Sequence, residues 1–153
     1  LREQQASALS LPNTGMVVAI DVGEWNDIHP LDKQSIGERL AKNALNTVYG
    51  KDIVYSGPIA TQATQDGSNV LVSFKHQGSG LSASENHLLG FEIADESGEF
   101  LWAKAEIKGE RIQVWHPDVK QPRAVRYAWA DNPAANLYNK DGLPAAPFRF
   151  HFD

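Results

Sequence analysis

The chain contains no cysteine, which excludes disulfide staples and thiolate metal sites while leaving the compartment open. It also lacks any apolar run approaching the ~20 residues that a helical bilayer span requires, and no stretch has the pattern of a signal peptide. An excess of positive charge is absent too: 14 Lys and Arg stand against 19 Asp and Glu, a formal net charge of −5. That mixed, slightly acidic balance argues against nucleic acid or an anionic membrane as a partner. There is no internal repeat and no low-complexity tract. Gly78-Ser79-Gly80 is not a phosphate loop, because it lacks the lysine and the helix that such a loop needs. His76, His87, His116 and His151 show no metal-ligand spacing and fall in or beside β segments, where they read as surface or turn residues. No metal or other cofactor is therefore expected. At 153 residues the chain is long enough for one ordinary domain, or a small domain with part of another, and buries about 68–70% of its unfolded surface.

What is present is organised around residues 17–50. Met16, Val17, Val18, Ala19 and Ile20 form an unbroken apolar and β-branched run, as expected of a strand covered on both faces. A loop from Asp21 to Pro30 leaves the carboxyl end of that strand, the place where open α/β sheets bind ligands. Gly23 suits a tight exit, and Pro30 restricts His29 to extended geometry and keeps it out of the helix that follows. Asp32 is a good N-cap, and Ile36, Leu40, Ala44, Leu45 and Val48 recur at helical spacing. Gly50 stands where a glycine would end that helix. A loop histidine among Asp21, Glu24 and Asp27 is a candidate general base.

On either side the texture differs. Residues 1–11 read as the tail of a helix that Pro12, Asn13 and Gly15 terminate, and a start of LREQQASALS without methionine suggests a truncated chain. Beyond Gly50, short β-rich runs are expected at 53–56, 59–65, 69–75, 89–95, 100–108, 111–115 and 125–129. Asp66-Gly67, Glu96 to Gly98 and Lys108-Gly109 are hairpin signals between them. Seven strands at such spacing suggest a β-sandwich over residues 51–153, with Trp102, Trp115 and Trp129 in its core. The segment 77–86 reads as a flexible loop.

The run NDIHP followed by LDKQSIGERLAKNAL resembles the last conserved block of the sialate O-acetylesterases, carbohydrate esterases of the SGNH-hydrolase class. ALSLPNTGMVVAIDVGEWNDIHP resembles the segment leading into that block, and IVYSGP, PRAVRYAWADNP and NLYNKDGLPAAPF resemble the family's C-terminal region. The resemblance implies a fold of α+β, mainly β type: residues 1–50 as the remnant of an α/β SGNH domain (strand, catalytic loop and helix), then the β-sandwich. It also implies that His29 is the base of a Ser-His-acid site. The family's Gly-Gln-Ser-Asn type block, which carries the nucleophilic serine, has no counterpart here, nor have the glycine and asparagine blocks of its oxyanion hole. The chain is accordingly expected to be the C-terminal portion of such an enzyme, inactive alone. Its expected partners are O-acetylated sialic acid (the 9-O-acetyl ester foremost) or a related glycan, together with the missing N-terminal part, in a periplasmic or secreted setting.

Many SGNH hydrolases space the acid as Asp-x-x-His, yet the residue three before His29 is Asn26. Asp27 lies two before it and is favoured, with Glu24 next and Asp21 also within reach of a folded loop. Asp27 could equally cap the loop backbone as an Asx turn. Trp25 reads as a wall of a sugar pocket or as packing against an adjoining domain. Arg126, Tyr127, Trp129, Asn132, Asn136 and Tyr138 make a polar-aromatic cluster, seen on sugar-binding surfaces and more often at strand-to-loop junctions. Two other functions compete with the hydrolase: a glycan-binding β module without chemistry, and a structural brace for an esterase domain.

Overall fold

The computed structural model describes residues 1–152, and it is mainly β with few helices. Two helices, α1 (Arg2–Ser7) and α2 (Lys33–Thr47), precede ten strands. These are β1 (Ile59–Asp66), β2 (Asn69–Lys75), β3 (Leu81–Ala83), β4 (Phe91–Ala94) and β5 (Leu101–Trp102) in the first half of the region. They continue as β6 (Lys104–Lys108), β7 (Arg111–Trp115), β8 (Ala124–Tyr127), β9 (Leu137–Asn139) and β10 (Phe148–His151). One four-stranded sheet has the order β1-β2-β7-β6, a second has β10-β8-β4-β5, and β3 pairs with β9; every pairing is antiparallel.

Alternation sets which side chains meet. In β2 and β7, Val70, Val72, Ile112 and Val114 lie on one parity and are buried. They share a core with Phe91 and Ile93 of β4, Val125 and Tyr127 of β8, and Phe148 of β10, so both larger sheets contribute to one apolar interior. Each such side chain contributes about 1.5–3 kcal/mol relative to exposure. Phe91 and Phe148 pack on Tyr127 with ring centroids 4.7 and 5.7 Å away. Burial raises the Tyr127 phenol far above its ordinary range, and its oxygen accepts the Leu137 N–H at 3.0 Å. That bond ties β8 to β9.

The tight turns form where their residues permit it. Gly67 and Gly109 adopt φ of 60° and 62° in the two-residue links β1–β2 and β6–β7, a conformation that costs other residues strain. Asp32 caps α2 by accepting the Ser35 N–H at 2.9 Å, and Gly50, at φ 63°, follows its end. Arg2 donates to the carbonyls of Ala130 and Asp131, both at 2.7 Å, and Arg149 forms a bidentate pair with Glu3. The N-terminal helix is thereby fixed to the β region.

Several expectations are corrected. Met16 to Ala19 is not a strand and pairs with none among the described residues, because the chain offers no neighbour to complete its ladder. Residues 53–56 are likewise not a strand; they lead into Gly57, which packs so closely on Pro144 that a Cβ would strike the Pro144 carbonyl. The expected loop at 77–86 contains β3, whose partner β9 lies more than fifty residues away in sequence. The run 100–108 is divided at Ala103 into β5 and β6, which belong to different sheets. β9 and β10 were not anticipated. Trp102 and Trp115 fall on the outward parity of their strands, and Trp129 follows β8 and lies under the Arg149 guanidinium. None of the three is core, and Trp102 is 68% exposed.

Candidate active site

The loop carrying His29 leaves the body of the protein at Asp21 and returns at Asp32. Within it Asp27 accepts the His29 backbone N–H at 2.8 Å, the Asx turn that a short acidic side chain makes two residues ahead. The same Oδ1 stands 3.4 Å from His29 Nδ1, so the local turn that fixes the backbone also brings the carboxylate to the ring. The imidazole is 80% exposed and Asp27 48% exposed. A short antiparallel bridge joins Glu24 to Asp27 and narrows the loop's neck. With Nδ1 turned toward a carboxylate, Nε2 faces outward and has no protein partner among the described residues. An imidazole held this way can take a proton from a hydroxyl presented to it.

Asp21 is engaged elsewhere. Its two oxygens accept Nη1 and Nη2 of Arg39, each at 2.7 Å, and Arg39 Nη1 also donates to the Val18 carbonyl at 2.7 Å. Arg39 is only 8% exposed, and the Asp21 charge also acts on Tyr138 of β9. The Asp21 carboxylate strengthens the charged form of Arg39, while burial and then the Asp21 charge raise the Tyr138 phenol. Sequence reading missed Arg39 because a polar residue in an amphipathic helix ordinarily faces solvent. The available signal was its place opposite the Leu40–Ala44–Val48 stripe.

The remaining candidates separate. Glu24 and Trp25 line a cleft of about 450 Å³ whose floor includes Met16 to Ile20 and whose far wall holds Asn132 and Pro133; His29 and Asp27 do not line it. Of the polar-aromatic cluster, Tyr127 is core, and Asn136 is buried, accepting the Leu89 N–H and donating to the His87 carbonyl, both at 2.8 Å. Arg126 forms a bidentate pair with Glu92 across β8 and β4 and lies over the Phe100 ring. The cluster is thus dispersed among structural roles. No group of three or more His, Asp or Glu able to hold a metal occurs among the described residues.

Trp25, Ile28 and Leu31 of the same loop are 81, 89 and 79% exposed. The same holds along helix α2: Leu40, Leu45, Val48 and the adjoining Tyr49 are exposed, while Arg39 is the helix residue that is buried. The helix lies with its polar side against this chain and its apolar side outward, the reverse of the usual arrangement.

No family model matches the chain. Over its whole length the structure is similar to a carbohydrate acetylesterase from Xanthomonas citri, with a TM-score of 0.95 and 43% identity, covering 36% of that chain. The fold is therefore that of a portion of a carbohydrate acetylesterase. Within that class, the curated homologues are sialate O-acetylesterases, and the match is to a C-terminal portion. The chain is 31% identical over 154 residues to the enzyme of Mus musculus and 30% identical over 153 residues to that of Rattus norvegicus. Each match covers 90% of this chain, which spans 28% of the length of either relative.

Proposed function

We propose that this chain is the C-terminal part of a carbohydrate O-acetylesterase acting on O-acetylated sialic acid, foremost the 9-O-acetyl ester, or a related glycan. Its contribution is His29 as general base, oriented by Asp27, to a Ser-His-acid site whose serine lies in the rest of the enzyme. The observation that carries this reading is the Asp27–His29 pair on a loop that leaves Trp25, Ile28 and Leu31 uncovered. A site finished within this chain would have no need of that surface, whereas one shared with another part of the polypeptide would. Residues 1–50 then form the end of an α/β esterase domain, and residues 51–153 a β-sandwich that braces it through Arg2, Glu3 and Arg149. A periplasmic or secreted location accompanies that role.

The chemistry follows from the geometry. The serine oxygen attacks the acetyl carbonyl as its proton passes to His29 Nε2. Asp27, at Nδ1, then stabilises the imidazolium. That imidazolium protonates the departing sugar oxygen, and the acetyl group remains on serine until water, activated by the same ring, releases it as acetate. The 3.4 Å separation of Nδ1 and Oδ1 is longer than a formed hydrogen bond. Such contacts commonly tighten when the site is complete.

Two measurements test the reading. This chain alone should hydrolyse an activated acetate ester no faster than free imidazole at the same concentration, and saturable turnover blocked by a serine reagent would refute the shared site. In the complete enzyme His29→Ala should lower kcat/KM by about 10³-fold or more. Retention of a tenth of the activity, a loss of only ~1.4 kcal/mol in transition-state stabilisation, would remove His29 from the role of base.

A further inference from the structure

The loop of residues 22–31 is bonded to the rest of the protein almost entirely at its two stems. Among the described residues its interior hydrogen bonds are local: the Asp27–His29 turn, the Glu24–Asp27 bridge, the Val22 N–H to the Ala19 carbonyl, and Lys33 back to the Pro30 and Leu31 carbonyls. Both stems, however, are held by one helix. At the outgoing stem Arg39 grips Asp21 through two bonds of 2.7 Å and the Val18 carbonyl through a third. At the returning stem Asp32 accepts the Ser35 N–H at 2.9 Å and the Ser35 hydroxyl at 2.6 Å. Ser35 and Arg39 are four residues apart, hence on one face of α2 and about 6 Å apart along its axis. The ends of the loop are therefore pinned one helical turn from each other, the closed stem of an Ω-type loop.

From this juxtaposition we infer that Arg39 and Asp21 are positioning residues for His29. The buried Arg39–Asp21 fork is a clamp that sets where the Asp27–His29 pair points. The clamp rests on the proposed role of His29, but its mechanical half stands apart from it. Lysine cannot replace arginine here, since an ammonium reaches one point while the guanidinium fork holds both Asp21 oxygens in a fixed plane and spares a third donor for Val18. Because the fork is buried and holds the stem of the loop, not its tip, it acts on the base's placement and not on substrate contact. Its loss should therefore appear in kcat far more than in KM.

The test has one arm in this chain and one in the complete enzyme. In this chain, ¹⁵N relaxation should give rigid order parameters for the amides of Val22 to His29, falling below about 0.6 in Arg39→Met while those of β2 and β7 stay unchanged. In the complete enzyme Arg39→Met should lower kcat about 100-fold with KM within about threefold. Arg39→Lys should restore part of that loss. Should Arg39→Met fail to fold, Arg39→Lys carries both arms, with intermediate loosening and an intermediate kcat. An unloosened loop in the variants, or a loosened loop with kcat intact, would overturn the clamp. Loss of the effect of His29→Ala would instead overturn the assignment of the base and leave the relaxation result to speak for the clamp alone.

Discussion

One oxygen of Asp27 serves His29 twice: Oδ1 accepts the histidine's backbone N–H at 2.8 Å and stands 3.4 Å from its Nδ1. The Asx turn and the acid–imidazole pairing, which as sequence readings were alternatives, are one arrangement.

The first prediction separates the carboxylates. In the complete enzyme Asp27→Asn keeps the turn, since an amide oxygen still accepts the backbone N–H, but removes the charge that stabilises an imidazolium. It should cost about 10²–10⁴-fold in kcat. Glu24→Gln should change kcat by less than about threefold, because Glu24 lines the cleft beside Met16 to Ile20, which His29 does not line, and it is Asp27 that stands at the ring. Steady-state kinetics on the two variants side by side decide the matter, and a larger loss in Glu24→Gln would move the acid to that residue.

The second prediction concerns the outward apolar side of α2. Left uncovered, Leu40 and Val48 should make the isolated chain associate as its concentration rises, and Leu40→Lys with Val48→Lys should suppress this without lowering its stability. In the complete enzyme the same pair should be destabilising, by about 1.5–3 kcal/mol for each side chain that loses its burial. Light scattering against concentration for the chain, and denaturant unfolding for both, provide the comparison. A strictly monomeric wild-type chain would count against it.

A third prediction follows from His76. Its imidazole is half-buried against Tyr55, ring centroids 5.2 Å apart, and burial, reinforced by Lys75, lowers its pKa below the usual 6.5. The unfolded chain therefore binds this proton at a higher pH than the folded one. The stabilisation is complete above pH 6.5 and is progressively lost as pH falls from there toward the lower folded value. Urea midpoints measured between pH 7.5 and pH 5 should decline, and His76→Asn should flatten the decline. Asparagine is chosen because residue 76 has φ of 58°, a conformation it tolerates. An equal slope in the variant would show that the acid sensitivity lies elsewhere.

What the sequence determined by itself is what neighbouring residues decide among themselves. Asp32 and Gly50 mark the two ends of α2 because a cap and a left-handed residue act over a single turn. Gly67 and Gly109 open their hairpins for the same reason, and alternation in β2 and β7 selects Val70, Val72, Ile112 and Val114 for the interior. The Asp27 turn on His29 is equally local. Only the tertiary structure decided the rest. Val17 to Ile20 has the composition of a strand, but a strand exists by pairing, and no partner segment lies beside it among the described residues. β3 and β9 are each three residues long and carry little signal alone; they form because a distant segment completes both ladders. Trp102, expected in the core as a tryptophan within a predicted strand, lies outside because strand parity outweighs hydrophobicity. Arg39 shows the limit most clearly. Its burial follows from a carboxylate eighteen positions earlier and a tyrosine ninety-nine positions later, brought together by packing that leaves the helix's apolar side outward.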